Sequence, residues 1–119
     1  MAQPNIVGVT TIRGDTAVQN VTTVAANVVA NPANSNAVLK INTLLVSNAN
    51  GNSSADITAT FFRTGVEYRL AHTIAVPADS TLVLISKDTS IYLEESDYIR
   101  LNASANNFLH AVCSYEEIS

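Results

Sequence analysis

Apolar and polar residues alternate along most of this chain, and a period of two marks strands with one buried face. The alternation predicts strands over residues 5–12, 19–30, 37–48, 55–63, 66–76, 80–87, 90–93, 97–104 and 108–118. Between them fall Gly, Pro, Asn and Asp. Arg13-Gly14-Asp15 reads as a turn, Thr64-Gly65 as a tight hairpin turn and Pro77-Ala78-Asp79 as another turn, with a polar loop over 49–54. No long segment carries the 3.6-residue apolar stripe of a helix.

The phase of each run assigns its faces. Ile57, Ala59 and Phe61 share one face, and Asp56, Thr58, Thr60 and Phe62 the other. Ile99, Leu101 and Ala103 point inward; Tyr98, Arg100 and Asn102 point outward. Tyr68, Leu70, His72, Ile74 and Val76 share a face. Residues 41–46 and 82–85 are apolar in both phases, which fits central strands covered on both sides or strands whose outer face meets another subunit. Eight to nine short strands with turns every 8–12 residues predict an all-β fold, a single antiparallel β-sandwich of jelly-roll or immunoglobulin-like type. One domain spans 1–119. Residues 1–12, with Pro4 near their start, are expected to form an N-terminal interface arm or edge strand that pairs with a neighbour's sheet.

Composition narrows the partners. Charged residues make up 13% of the chain, against the roughly 25% usual in soluble domains. Asn, Ser and Thr take their place, with Asn alone occurring thirteen times. The net charge is −4 and the six basic residues are scattered, so neither nucleic acid nor an anionic membrane is an expected partner. The single Cys113 allows no disulfide within the chain and suits assembly in a reducing compartment. The first residues lack the basic and apolar regions of a signal peptide, and no stretch approaches the ~20 apolar residues of a membrane-spanning helix.

Chemistry finds little to hold. There is no G-x-S-x-G elbow, and four isolated glycines match no phosphate-cradling loop. His110 and Cys113, three apart on a strand, point to opposite faces and cannot share a metal ion. Cys113 falls in phase with Leu109, Ala111 and Tyr115, as a buried structural cysteine would. His72 sits among apolar residues, as a core or interface histidine. The acids of Glu94-Glu95-Ser96-Asp97 and Glu116-Glu117 read as solvated turn and chain-end charges. Arg13-Gly14-Asp15 spells an integrin-binding tripeptide, and three Asn-x-Ser/Thr triplets begin at Asn20, Asn52 and Asn102; turn chemistry and an Asn-rich composition explain them. No catalytic residue, cofactor or metal ligand is expected. Outward Phe62 and Tyr98, with Ile6, Val7 and Val9 of the arm, are the expected protein-interface residues.

Two motifs carry a resemblance. Val76-Pro77-Ala78-Asp79-Ser80-Thr81-Leu82-Val83-Leu84 is followed by Ile91-Tyr92-Leu93-Glu94-Glu95-Ser96-Asp97 and a strand ending in Ala103-Ser104. Together they make the last two-thirds of the chain resemble small β-rich virion structural proteins of tailed bacteriophages, notably those of marine cyanobacteria. That pattern has glycine after the two acids, where this chain has Ser96. The resemblance implies a non-enzymatic virion protein assembled in the host cytoplasm, most simply a decoration or cement protein on the outer capsid shell. It also implies the major capsid protein as partner and a homo-oligomer, with a trimer as the expected state. A neck, tail or fibre-associated protein is the alternative, as is a surface carbohydrate-binding module whose contacts would come from the loops at 31–36 and 48–54.

Overall fold

The computed structural model describes residues 11–119, and the expected arm residues Ile6, Val7 and Val9 lie outside the described residues. The strands are β1 (Ile12–Val21), β2 (Ala26–Ala30), β3 (Val38–Asn48), β4 (Ala55–Arg63), β5 (Val66–Val76), β6 (Thr81–Ile85), β7 (Ile91–Leu93), β8 (Tyr98–Ala103) and β9 (Leu109–Ile118), with one 3-10 turn at Lys87–Thr89. All pairings among the described residues are antiparallel. The first sheet runs β1-β9-β3-β6, with β7 also paired to β3, and the second runs β2-β8-β4-β5.

The chain changes sheet at nearly every connection; only β4 to β5 and β6 to β7 stay within one. With β6 and β7 sharing a place beside β3, this is the two-sheet jelly-roll order rather than the immunoglobulin one, in which hairpins remain within a sheet. The core lies between the sheets. Ile41, Leu44, Val46, Leu109, Ala111 and Cys113 meet Ile57, Ala59, Val76, Ile99 and Leu101 across it. The inward phase of 99–103 and of Ile57 and Ala59 is therefore as the alternation predicts.

Three expectations change. Arg13-Gly14-Asp15 is no turn: it lies inside β1, where Arg13 pairs across the sheet with Glu117 and its guanidinium bonds that carboxylate. A cross-strand ion pair and an unbroken register outweigh the turn propensity of Gly14. The run 19–30 is two strands, because Thr22 closes a turn that carries the chain to the other sheet; its hydroxyl bonds the Val24 backbone and its carbonyl accepts the Ala103 amide. The single face expected for 66–76 is broken by two bulges, one between the Ile57–Ile74 and Ala59–Ala71 pairs and one between Ala59–Ala71 and Thr60–Arg69. Thr73 takes a φ of 48° there, so Tyr68, His72 and Ile74 face solvent while Val76 is buried. Bulges on this edge strand also blunt its pairing with a foreign strand.

The turns at 64–65 and 77–79 form as expected. Thr64 and Gly65 both have positive φ, 51° and 77°, which a type I′ hairpin needs. Ser80 donates its amide to Pro77 across the second turn at 3.1 Å.

Candidate functional site

Polar groups that looked available for binding are largely consumed by the fold. Glu95 and Asp97 are buried, not solvated, at 1% and 2% exposure. The Asp97 carboxylate receives Arg63 Nε at 3.1 Å to both oxygens, Arg63 Nη2 at 2.6 Å and the Glu94 amide at 2.8 Å. That hydrogen bonding holds the Arg63 guanidinium still further above its ordinary pKa. Glu95 accepts the Asn36 amide at 2.6 Å. Buried Asn31 gives its side-chain NH2 to the carbonyls of Ala37 and Leu93, both at 2.9 Å, and exchanges backbone bonds with Ser96 and Asp97. The acids thus tie the 31–37 loop to the turn before β8. The sequence hid this because a buried, satisfied carboxylate and a solvated one look alike in a turn.

The 48–54 loop is likewise self-stapled. Asn48 is buried and bonds the carbonyls of Ser53 at 3.0 Å and Val76 at 2.9 Å, and Asn50 Oδ1 accepts the amides of Asn52 and Ser53. In both Asn-rich loops the side chains of Asn31, Asn48 and Asn50 are taken up by the fold, while Asn34, Asn36 and Asn52 stay exposed.

Cys113 lies in the core with no exposure, as its phase predicts. Burial pushes its thiol up to about 11 from the usual 9.0. A buried thiol of this kind is inert toward disulfide exchange. Its folded-state pKa exceeds the unfolded one, so stability is intact below pH 9.0 and falls as pH rises toward about 11, by up to ~1.4 kcal/mol per unit. Urea midpoints at about pH 8 and about pH 10.5 should therefore fall more for the wild type than for Cys113→Ala. Equal losses would refute the assignment.

Two outer faces remain. On the first sheet, the register aligns Val18, Val112, Leu45 and Val83 in one row across β1, β9, β3 and β6. Its end members are 76% and 55% exposed, and three strand spacings make it about 14 Å long. Asn20, His110, Ser47 and Thr81 form the row on one side, and Thr16, Ser114 and Thr43 the row on the other. These three rows contain no Asp, Glu, Lys or Arg.

The second sheet's outer face is different. Phe62 and Tyr98, two of the expected interface residues, stand on adjacent strands with rings stacked at 4.9 Å and 13°. The Arg100 guanidinium lies over both rings, 5.0 Å from Phe62 and 5.2 Å from Tyr98. Beside them opens a groove of about 320 Å³ lined by Thr58, Thr60, Glu67, Arg69, His72 and Arg100, among others. His72 belongs to this polar groove and not to an apolar cluster, because the bulges of β5 turn it outward. Among the described residues, no three His, Cys, Asp or Glu side chains converge as a metal site would require, and no helix is long and apolar enough to cross a membrane.

No family model and no curated protein matches this chain. Among solved structures it is similar to that of Bacillus endospore appendages, described as a family of disulfide-linked pili, with a TM-score of 0.52 and 17% identity over 92% of this chain and 88% of that one. At that identity the likeness speaks to the fold alone.

Proposed function

We propose that this chain is a non-enzymatic structural subunit that self-associates through the outer face of its first sheet and, as the resemblance to phage virion proteins suggests, decorates the outer capsid shell by binding the major capsid protein. The observation that carries the proposal is the row Val18–Val112–Leu45–Val83, exposed at both ends and half-buried between them. A contiguous apolar stripe bordered by hydroxyl and amide rows resembles a small interface core with a polar rim. Its lack of Asp, Glu, Lys and Arg matters for a chain of net charge −4, since a second copy can approach there without like-charge repulsion.

A repeated fibre subunit is the second reading, favoured by the fold shared with a pilus protein over 92% of the chain. Disulfide linkage does not carry over, because the one cysteine is buried in the core.

Sedimentation velocity of the purified protein tests self-association. The wild type is expected to sediment as an oligomer, a trimer in the capsid reading. Val18→Asp combined with Val83→Asp is expected to give a folded monomer, because each places a charge on an apolar contact without touching the core. A wild-type monomer at working concentration, or an unchanged oligomer in the double variant, would remove this face from the assembly.

A further inference from the structure

We propose that the groove on the outer face of the second sheet binds one carboxylate-bearing sugar unit, held by Arg69 and Arg100 over the hydroxyls of Thr58 and Thr60. The inference is independent of the assembly reading, which concerns the other sheet.

The sheet register builds the site. Thr60 pairs with Arg69 on β5 and with Arg100 on β8, so the two arginines flank one small residue in a single cross-strand row. The short threonine leaves room between two long side chains, each rooted about 5 Å away. In the next row Phe62 stands between Tyr98 and Glu67, and in the preceding one Thr58 pairs with Asn102. An aromatic wall, a hydroxyl floor and two guanidiniums therefore share one concavity. Its volume of about 320 Å³ is at the small end for ligand sites, which fits a single ring rather than a long chain.

Charge sets the ligand class. Arg13 and Arg63 are neutralised by carboxylates. Among the described residues, neither Arg69 nor Arg100 has a carboxylate within 4.0 Å. Two guanidiniums against Glu67 leave the groove one positive charge ahead, which matches a monoanion better than a phosphate dianion. Guanidinium forks also suit the planar geometry of a carboxylate.

Both arginines are held in place without losing their charge. Arg100 rests on the stacked rings and gives Nε–H to Asn27 Oδ1 at 3.2 Å. Arg69 Nη1 is 2.7 Å from His72 Nδ1. A guanidinium only donates, so Nδ1 accepts and the ring proton sits on Nε2, free to donate to a ligand hydroxyl. Thr58 Oγ1 accepts the Thr73 amide at 3.1 Å, which leaves its own proton to give. Hydroxyl-rich rings meet such donors on their polar edge, beside the wall formed by the Phe62–Tyr98 stack.

Titrating glucuronate into isotope-labelled protein and following amide shifts tests this. Saturable shifts confined to the groove strands are expected, with glucose (the same ring without the carboxylate) and acetate (a carboxylate without the ring) each at least about tenfold weaker. Arg69→Gln and Arg100→Gln should each weaken glucuronate about tenfold, whereas Arg13→Gln on the other sheet should not. Arg69→Gln, on the edge strand, keeps the test readable if loss of Arg100 disturbs the stacked rings. A glucuronate-terminated oligosaccharide that binds no worse than the free acid identifies the chain end as the source; weaker binding assigns the site to the free sugar acid. Absence of saturation, equal binding of glucose, acetate or inorganic phosphate, or full affinity in Arg69→Gln would overturn the proposal.

Discussion

Leu44→Ala is expected to lower folding stability by roughly 3–4 kcal/mol, the largest effect of any single substitution considered for this chain. Leu44 has no exposed surface and sits on β3, paired with Cys113 of β9 on one side and Ile85 of β6 on the other. A strand bonded along both edges cannot slide inward to fill a void, so truncation loses both the transfer energy of the methyl groups and the contacts around the cavity. Domains of this size are stable by about 5–15 kcal/mol in total, so the loss is a large share. Urea denaturation should show a lower midpoint with an unchanged slope. Val18→Ala on the outer face of the same sheet should stay within about 0.5 kcal/mol. A Leu44→Ala cost near that of Val18→Ala would mean the two sheets do not close over this residue.

Asp97→Ala is expected to cost about 2–3 kcal/mol, through polar rather than apolar chemistry. Removing the carboxylate strips Arg63 of its bidentate partner and leaves the Glu94 amide without its acceptor. Deleting one partner of a buried pair commonly costs about 3–5 kcal/mol. The lower figure applies here because the Arg63 side chain is 41% exposed and can turn to water. Glu94, which meets the same guanidinium at 3.0 Å, is itself well exposed, so Glu94→Ala should cost under about 1 kcal/mol. Thermal or urea denaturation of the two variants side by side would show the difference. Equal losses would mean that Asp97 acts as one more surface charge.

What the sequence revealed and what it hid follow from the range of the interactions involved. The inward phase of Ile99, Leu101 and Ala103, the hairpin at Thr64-Gly65 and the burial of Cys113 rest on local periodicity and turn chemistry, and these were legible. The split of 19–30 was not, because β-branched residues continue through the turn and the long-range contacts that fix the crossing, the Ala103 amide on Thr22 and the Asn106 side chain on Thr23, come from far along the chain. The bulges of β5 were hidden for the same reason: they exist only against β4. One substitution was informative in hindsight. Ser96 stands where the phage-like pattern has glycine, and its φ of 72° lies in the left-handed region that glycine occupies freely. The bonds from the Ser96 amide to Asn31 and from the Asn31 amide to Asp97 hold a non-glycine residue in that conformation.

Neither outer face could be read from the sequence as a surface. The row Val18–Val112–Leu45–Val83 draws one residue from each of four distant segments, and only register joins them. Phe62 and Tyr98 were expected to point outward, and they do, but their stacking beneath Arg100 depends on the β4–β8 pairing.

The most direct test of the structural role is to mix the purified protein with capsid shells that lack it, sediment them, and image the pelleted particles by electron cryomicroscopy. Regular density over the shell surface is the expected result, with copies meeting through the first sheet's outer face and occupancy lost in the Val18→Asp, Val83→Asp variant. Density confined to the neck or tail, or protein left wholly in the supernatant, would contradict a capsid decoration role.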